Sequence, residues 1–392
     1  MPIAFLLLAH KDPARVVAAA RALTGAGDHV VIHYDRRGAG WLDLVEGVAG
    51  LPRVHLLRGR VACGWGQWSL VAATLRLIRA ALARVPGAGH LYLVSGDCLP
   101  IRPATELHRA LEADPRDRIE AQDFFASGWI KTGLRAERVI YRHPFNERQN
   151  PRLFRLSLDL QRRLGLARRL PPGLRLCIGS QWWCLRRATA ERILAFCAER
   201  PEIPRFFRQT WIPDETFFQT LVAHLVPESE RIGTCPTRLL FTDYGMPVTF
   251  HDDQADLVFA QDGFFLRKAA PGASALRAAA WRRFLATDAP PPSGPDLAVV
   301  HRWLAARGRI GHLTLPPWDA PPPAIRLVIC KRWHLSAHLA ARAAALTGAA
   351  APGPVFDEIG PHEPDLGGYG RRLTDRRAAP LPFLARLAEA MG

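Results

Sequence analysis

The first hundred residues alternate between short apolar runs and longer amphipathic stretches. The runs "IAFLLLAH", "HVVIHYD", "RVHLLRG" and "GHLYLVSGD" have the continuous apolar character of buried strands. The stretches "PARVVAAARALTG" and "QWSLVAATLRLIRAALARV" carry apolar residues at helical spacing, and Gly25 is a stop signal for the first. Strands that alternate with helices predict an α/β fold with a mostly parallel central sheet and helices on both faces.

Three of these predicted strands run into a polar residue. His10, Asp35 and Asp97 follow the first, second and fourth runs. In open parallel sheets, ligands bind beyond the carboxyl ends of the strands. One polar residue at such a place carries little information, but three from separate strands predict one ligand crevice at this edge.

The pattern changes beyond residue 140. Residues 143–176 are strongly basic and partly helical, which is typical either of a solvated helix or of contact with an acidic glycan or an anionic lipid surface. Proline-rich stretches at 289–295 and 316–324 indicate linkers or a domain edge. We therefore predict a large α/β domain over residues 1–285, a proline-rich connecting region over 286–324 and a small C-terminal α/β extension over 325–392.

The formal net charge of +16 comes almost entirely from arginine. Because the planar guanidinium group binds phosphate in a bidentate way, the excess favours a phosphorylated ligand, nucleic acid, an acidic glycan or an anionic membrane face. A coding bias toward arginine explains the excess equally well.

The seven cysteines have no metal spacing and predict reduced thiols. No apolar run approaches the ~20 residues of a membrane helix. We expect a cytoplasmic protein, with peripheral membrane contact left open.

Several familiar motifs are missing from the sequence. There is no GxGxxG after the first run, no GxxxxGK[ST] and no GxSxG elbow. Zinc spacing and the signatures of nucleic-acid modules are also missing, so basic charge alone is weak support for a nucleic-acid partner. Candidate chemistry is therefore confined to carboxylates, tryptophans and cations near predicted strand ends and loops.

Two aromatic segments have both a structural and a functional interpretation. "GWGQWS" contains Trp65 and is either a tight turn with core tryptophans or a backbone that passes close to a ligand while a ring stacks on it. "GSQWW" contains Trp182 and Trp183, whose side chains point to opposite faces if the segment is a strand. One of the pair is then a core residue, and the other is a candidate platform for a sugar ring.

The segment "IPDETFFQT" is the sharpest candidate. Pro213 suits a first helical turn, and acidic residues there are favoured by the helix dipole. Asp214 can act as a cap and Glu215 as an exposed first-turn residue. Alternatively, a carboxylate kept ionised at a helix start is ready to accept a proton. Further on, "FFLRK" ends in Arg267 and Lys268, which are either a solvated strand end or an anion site.

The segments "LLAHKDP", "VIHYD", "WGQWSLV", "LYLVSGDCLPIR", "GSQWWCL", "PDETFFQTL" and "FFLRK" occur in an order and spacing that resemble one family. This is the core-2/I-branching β-1,6-N-acetylglucosaminyltransferase family, which also contains peptide O-xylosyltransferases. The resemblance covers roughly residues 1–270 and implies a nucleotide-sugar transferase fold of the GT-A type. It also implies inversion at the anomeric carbon, with no resident metal and no cofactor besides the UDP-sugar donor.

The resemblance implies roles for particular residues. Glu215 matches the catalytic base, and Asp214, Trp182 and Trp183 fall on the acceptor side. The donor nucleotide-sugar would be bound by residues of the first strand ends, of the "GWGQWS" segment and of the later cationic segments: His10, Asp35, Trp65, Asp97, Arg238, Arg267 and Lys268. The cations of this set, Arg238, Arg267 and Lys268, would stabilise the leaving diphosphate in place of a metal.

The expected function is transfer of a sugar, with N-acetylglucosamine favoured, from a UDP-sugar to a hydroxyl of a glycan acceptor. UDP-xylose as donor and a catalytically inactive glycan- or nucleotide-binding module remain alternatives. A metal-dependent transferase using the "HDD" of residues 251–253 is a further alternative. Animal members of the family carry a membrane anchor and luminal disulfides, which this sequence does not match.

Overall fold

A computed structural model describes residues 1–130, 133–239, 249–250, 252 and 255–287, together with positions 342, 345 and 346. The chain forms two compact units. The first comprises residues 1–238, 263–265 and 281–289, and the second comprises 239–262, 266–280 and 290–392. The predicted domain over 1–285 thus contains both a large unit and part of a second one. The predicted boundaries at 286 and 324 adjoin or lie outside the described residues and stay predictions.

A seven-stranded sheet forms the centre of the first unit, in the order β10-β6-β9-β4-β1-β2-β3. Strands β1, β2, β3 and β4 are parallel to their neighbours in this group, whereas β9 is antiparallel to both β4 and β6. Strand β10 is parallel to β6. Their bounds are Ile3–Ala9 for β1, His29–Tyr34 for β2, Val54–Leu56 for β3, His90–Ser95 for β4, Asp117–Arg118 for β6, Cys184–Arg186 for β9 and Arg231–Ile232 for β10.

Burial explains why the central strands read as continuous apolar runs. Every residue of β1 is buried, because helices cover both faces of the sheet at its centre. The first helix, α1 (Pro13–Gly25), starts where the Asp12 carboxylate accepts a hydrogen bond from the Arg15 backbone nitrogen and where Pro13 supplies a fixed φ. The predicted strands and helices of this region are confirmed, and the mixed α/β fold with a mostly parallel central sheet is confirmed with them.

Further helices and short strands follow α1 along the chain. The helices are α2 (Trp41–Val48), α3 (Trp68–Arg84), α4 (Ala104–Ala113), α5 (Glu137–Ile140), α6 (Pro151–Arg163), α7 (Arg187–Glu199), α8 (Glu202–Phe207) and α9 (Phe217–Leu225), with 3-10 turns at Pro213–Glu215 and Glu228–Glu230. The remaining strands are β5 (Leu99–Pro100), β7 (Gln122–Asp123), β8 (Cys177–Ile178), β11 (Thr237–Leu239) and β12 (Phe265–Arg267). Strands β7 and β8 form an antiparallel pair.

A buried carboxylate connects strands β6 and β9, next to the edge strand β10. Asp117 is fully buried and accepts hydrogen bonds from the Arg186 backbone nitrogen at 2.7 Å and from the Thr189 hydroxyl at 2.6 Å. The Arg186 guanidinium also forms ion pairs with the Asp117 carboxylate at 3.0 Å and with the Glu230 carboxylate at 2.8 Å. A buried charge is stable only when it is paired and hydrogen-bonded, so this network ties β6 and β9 together where the strands are short.

The second unit is described by its own contacts. The Phe250 backbone accepts from Ala270 at 2.7 Å and donates to Lys268 at 2.9 Å. The Asp252 carboxylate accepts from the Leu276 backbone nitrogen at 2.8 Å, near the start of α11 (Ser274–Leu285). Helix α10 (Ala255–Phe259) precedes this region. Within the described ranges, the structure contains no helix that is both long enough and apolar enough to cross a membrane.

Candidate active site

The three polar residues predicted at the strand ends lie at one edge of the sheet. The register pairs Ala9 with Tyr34 and Leu8 with Ser95, so β1, β2 and β4 end side by side. Asp97 is 13% exposed and forms an ion pair with Lys11 at 3.4 Å. His10 is exposed beside them. The ends of these strands are therefore neighbours in the sheet, whereas a shared ligand crevice and contact with a nucleotide stay predictions.

Asp35 is largely occupied in organising the loop next to this edge. It is buried, and its carboxylate accepts hydrogen bonds from the Arg37 backbone nitrogen at 2.7 Å and from the Cys63 backbone nitrogen at 2.8 Å. The second bond fixes the start of the segment 63–69. From there, the Gly66 carbonyl accepts from the Ile212 backbone nitrogen at 2.9 Å. The strand-end edge is therefore connected through one segment to the turn that carries Glu215.

The turn that carries Glu215 differs from the prediction. Pro213–Glu215 is a separate 3-10 turn, and α9 begins only at Phe217. Ile212, directly before the turn, has φ 52°. A β-branched residue in the left-handed region is strained by about 1–3 kcal/mol and persists only where the surroundings fix it. The expected stabilisation of Glu215 by the start of an α-helix is therefore not what holds this carboxylate.

An arginine that the sequence did not single out holds Glu215 instead. The Arg138 guanidinium donates to Glu215 Oε2 at 2.9 Å. Arg138 is itself fixed, because its Nε donates to the Leu134 carbonyl at 2.9 Å and its own carbonyl accepts from the Trp211 backbone nitrogen at 3.0 Å. The side chains of Arg138 and Glu215 are 10% and 29% exposed. The pair is thus held in place by hydrogen bonds and is largely buried, while the Glu215 carboxylate stays partly accessible to solvent.

The environment pulls the pKa of Glu215 in two directions. Burial raises the pKa of this carboxyl above its usual range, because a low-dielectric surrounding disfavours the charged form. The charge and hydrogen bond of Arg138 oppose this effect, as does a hydrogen bond from the Trp129 side chain. The net direction is upward. A carboxylate whose pKa is raised toward neutrality is a better proton acceptor than an ordinary surface glutamate.

A second carboxylate adjoins the first. The Glu120 side chain accepts hydrogen bonds from the Ser180 backbone nitrogen and from the Gln122 amide, the latter at 3.0 Å. Burial raises the pKa of Glu120, and the negative charge of Glu215 adds to the rise. The two acidic groups are therefore electrostatically coupled. Neighbouring carboxylates with raised pKa values are a frequent feature of acid–base sites.

The segment "GSQWW" places these two carboxylates. The Gly179 backbone nitrogen donates to the Glu215 carbonyl at 3.0 Å. A β-carbon at Gly179 would overlap the Glu120 carbonyl oxygen, so the close approach of the two chains requires glycine here. The Gln219 amide donates to the Ser180 carbonyl at 2.6 Å and ties the segment to α9. This close approach of the two protein segments was not predicted from the sequence.

A cavity of about 410 Å³ opens beside Arg138. Its walls include Trp65 and Trp211, which meet edge to face with ring centroids 5.5 Å apart. Arg148 lies 3.7 Å from the centroid of the Trp65 ring, and Trp65 is 44% exposed. This volume falls within the range of small-molecule sites, and aromatic walls with a few charged groups are their usual lining. The structure thus places Trp65, predicted on the donor side, in this cavity.

The predicted acceptor residues are mostly buried. Trp183 is fully buried against Phe218, with ring centroids 5.3 Å apart, and Trp182 is 4% exposed. The expectation that one of the two presents a ring to solvent is therefore not met in this conformation. They also lie between β8 and β9 and not within a single strand, so the opposite-face argument does not apply. Asp214 is buried as well, at 8% exposure.

The later cations divide between the two units. Arg238 is exposed in the first unit, whereas Arg267 and Lys268 belong to the second. Their contact with a diphosphate stays a prediction. Of the "HDD" alternative, Asp252 accepts the backbone hydrogen bond near α11 described above, and residues 251 and 253 lie outside the described residues. Across the described ranges, no three His, Cys, Asp or Glu side chains are grouped so that they could hold a metal ion.

Sequence reasoning missed three residues that surround Glu215: Arg138, Trp129 and Glu120. Arg138 lies in "LRAERVI", one arginine among many, and it is positioned through contacts far away in the chain. Glu120 follows the two-residue strand β6, which is too short to leave a pattern. Trp129 lies in a loop without periodicity. Glu120 lies two residues beyond the end of β6, so a search for polar residues directly after strands would not have found it either.

The fold and the site define an α/β protein with a buried glutamate–arginine pair and a cluster of polar strand ends at the sheet edge. A family model described as Core-2/I-Branching enzyme matches residues 3–235. The chain therefore belongs to the Core-2/I-Branching enzyme family, and the resemblance seen in the sequence is confirmed.

Two comparisons with individual proteins complete this result. The chain is similar to the xylosyltransferase sqv-6 of Caenorhabditis briggsae, with 24% identity over 197 residues. The match covers 48% of this chain and spans 22% of the length of that relative. Among solved structures, the apo structure of the bifunctional glycosyltransferase WbbM matches with 9% identity and a TM-score of 0.30, over 73% of this chain and 52% of that one. A TM-score of this size does not establish a common fold.

Proposed function

We propose that the protein is an inverting glycosyltransferase that moves a sugar from a UDP-sugar to a hydroxyl of a glycan acceptor. The observation that carries the proposal is the Glu215 carboxylate, which is largely buried, has a raised pKa and is held by Arg138 at 2.9 Å. Such a group combines a fixed position with sufficient basicity, the two requirements of a general base.

The proposed reaction proceeds in one step. Glu215 takes the proton of the acceptor hydroxyl while that oxygen attacks C1 of the donor sugar. The bond from C1 to the diphosphate oxygen breaks, and its electron pair leaves with UDP. Attack from the face opposite the nucleotide inverts the configuration at C1. General-base catalysis of this kind contributes about 10²–10⁴-fold. Arg138 favours the ionised form of Glu215 before the step and stays next to the neutral carboxyl group after it.

The donor is proposed to lie over the edge formed by His10, Asp35 and Asp97. In the first unit, Arg238 is the cation proposed to neutralise the diphosphate, so that departure of UDP does not need a metal ion. For Arg267 and Lys268, which belong to the second unit, this role is what the family resemblance implies. The family resemblance supports this part of the proposal. A preorganised charge at a developing oxyanion is worth about 3 kcal/mol of barrier. Loss of any one of these cations would then lower the rate on the order of a hundredfold.

The acceptor is proposed to enter through the cavity lined by Trp65 and Trp211. This proposal gives Trp65 a role on the acceptor side, in place of the donor-side role that the sequence resemblance implies. Two features support this route. Arg138 forms part of the cavity wall and contacts Glu215 directly. Aromatic rings are also suitable partners for the apolar faces of sugars, and Trp65 is exposed enough to offer one.

N-acetylglucosamine is the donor sugar we favour, on the family resemblance. A specific observation also supports a second candidate, because the curated relative is a xylosyltransferase. We therefore propose UDP-xylose as the alternative donor. A catalytically inactive module that only binds a nucleotide or glycan is the remaining alternative.

A panel of nucleotide sugars tests the proposal in the presence of a chelator. We expect one UDP-sugar to raise the melting temperature of the full chain and to be turned over, by transfer or by hydrolysis, with EDTA present. Binding without turnover would favour the inactive module. Turnover that requires an added divalent cation would contradict metal independence, and failure to bind or turn over any nucleotide sugar would overturn the proposal.

A further inference from the structure

Helix α6 presents an unusual surface to solvent. It buries Phe154, Leu158 and Gln161, as an ordinary amphipathic helix does. However, a second set of apolar side chains lies on its outer side and just beyond its end: Leu153, Leu156, Leu160, Leu164 and Leu166, with exposures of 44%, 65%, 54%, 61% and 47%. The first four follow helical spacing and form one stripe. We call this set the leucine stripe.

Arginines flank the leucine stripe. Arg152 and Arg163 are exposed on the side of the helix next to it, and Arg155 and Arg162 lie further round on the polar face. Arg169 follows in the segment after the helix and is also exposed. A helix with an exposed leucine face and an arginine-rich polar face has the composition of helices that lie in the interface of a membrane.

We propose that α6 and the leucine stripe bind the surface of an anionic lipid bilayer. The leucines would enter the boundary between headgroups and acyl chains, and the flanking arginines would contact the phosphates. Guanidinium groups suit this role because they bind phosphate in a bidentate way. The net charge of +16 draws the whole chain toward a negative surface. Binding is reversible and sensitive to salt, since a helix of 13 residues buries little apolar area.

Charge also argues against a second copy of the chain as the occupant. A symmetric contact would bring the stripe of one copy against that of another, with Arg152 and Arg163 of both copies at its margins. No acidic side chain lies within the stripe, and Asp159, the acidic residue of this helix, already pairs with Arg162 at 3.6 Å. Like charges at such close range oppose association, whereas anionic lipid neutralises them.

The surface lies close to the proposed acceptor cavity. Phe154, Leu158 and Asp159 on α6 line that cavity, while the leucine stripe occupies another face of the same helix. A protein bound through the stripe would hold the cavity near the membrane surface. The inference about the membrane does not depend on catalysis, because its test measures binding alone.

The test is co-sedimentation of the full chain with vesicles of phosphatidylcholine alone and of phosphatidylcholine mixed with phosphatidylglycerol. We expect binding to the anionic vesicles and at least tenfold weaker binding to the neutral ones. The double variant Leu156→Gln/Leu160→Gln should lose at least tenfold in affinity for anionic vesicles. Leu42→Gln is the matched control, because Leu42 is 75% exposed on α2. It should bind as the wild type does.

A second pair of variants separates charge at this surface from charge in general. Arg152→Glu/Arg163→Glu should abolish binding, whereas Arg109→Glu/Arg192→Glu, with the same change in net charge at other exposed positions, should reduce it only slightly. Unchanged thermal melting shows that each variant is folded. No binding of the wild type, binding unaffected by the leucine variants, or a dimer that those variants dissociate would each overturn the proposal.

Discussion

The Arg138–Glu215 pair decides how the proposed base behaves. Arg138 lowers the pKa of Glu215 against the rise caused by burial. A general base works in its deprotonated form, so activity should increase with pH through the pKa of Glu215. The acid limb of the pH–rate profile therefore reports this pair directly.

Substitution of Arg138→Gln should shift that acid limb to higher pH, because the opposing positive charge is lost while burial remains. The variant should also lose up to about 3 kcal/mol of stability, since one partner of a largely buried pair is removed. The measurement is kcat/KM against pH. Arg138→Lys keeps the positive charge, so its acid limb should lie close to that of the wild type. Arg135→Gln, at a nearby exposed position, is the control. An unmoved acid limb in Arg138→Gln would argue that Glu215 is not the titrating group.

Substitution of Glu120→Gln should move the acid limb in the opposite direction. The charge of Glu215 raises the pKa of Glu120, and such a repulsion is reciprocal. Its removal should therefore make ionisation of Glu215 easier, so that its pKa falls and activity persists to lower pH. The same pH profile measures the effect, with Glu46→Gln, an exposed glutamate on α2, as control. A shift in the same direction as in Arg138→Gln would show that the two carboxylates are not coupled as the structure indicates.

At the scale of elements, the site depends on short strands and tight approaches. The apolar patterns of the central strands and of α1 and α3 could be predicted from the sequence, because burial on both faces dictates composition there. The two-residue strands β7 and β8 could not be predicted, because nothing in so short a stretch distinguishes a strand from a loop. These are the elements next to Glu120 and Gly179. The site was thus predictable in part, at Glu215 and the strand ends, and not in its supporting residues.

Gly179 offers a test of that arrangement. Gly179→Ala should destabilise the protein by about 1–3 kcal/mol, because the added β-carbon overlaps the Glu120 carbonyl oxygen and pushes the two segments apart. Activity should fall with it, since Gly179 also binds the Glu215 carbonyl. Urea unfolding and kcat are the measurements. Gly87→Ala, where a β-carbon meets nothing within 4 Å, is the control. Equal effects of the two substitutions would contradict the close approach.

The packing of α4 on β1 should depend on pH. Asp28 is fully buried, accepts from the Ile3 backbone nitrogen at 2.8 Å and contacts His108 Nε2 at 3.1 Å. The hydrogen bond to Asp28 raises the pKa of His108. The resulting stabilisation, about 1.5 kcal/mol for a charge-assisted bond, is fully present below the ordinary histidine pKa of 6.5 and is lost as pH rises through the raised value.

The measurement is the difference in unfolding free energy between the wild type and His108→Gln as a function of pH. This difference should be largest on the acid side of the window and should shrink as the pH increases past it. A difference that stays constant, or that grows with pH, would show that His108 is not protonated against Asp28 in the folded protein.

At the scale of the whole molecule, the family match over residues 3–235 coincides with the first stretch of the first unit, residues 1–238. The seven motifs that suggested the family lie at strand ends, in turns and in the segment with Glu215 that precedes α9. Such places can be found from the pattern of the sequence. The division into two units could not be predicted, because residues 263–265 and 281–289 return to the first unit after a long excursion. The amino-acid composition does not change at residues 263 and 281, where the chain returns to the first unit.

Charge acts at this scale as well. The excess of arginine is consistent with the proposed diphosphate site and with the proposed membrane surface, and these make different demands. A diphosphate requires a few cations fixed at one place, whereas a membrane requires exposed cations around an apolar stripe. The exposed arginines of α6 meet the second demand.

The role of Glu215 as the general base is tested most directly by the turnover of the donor in Glu215→Gln. The UDP-sugar identified in the nucleotide-sugar panel is supplied at saturation, donor affinity is measured by calorimetry, and thermal melting reports the fold. We predict a loss of about 10²–10⁴-fold in kcat with donor affinity unchanged. The melting temperature should fall to a similar extent as in Arg138→Gln, because the same ion pair is lost, and one cooperative transition should remain. Turnover within about tenfold of the wild-type rate would contradict the account.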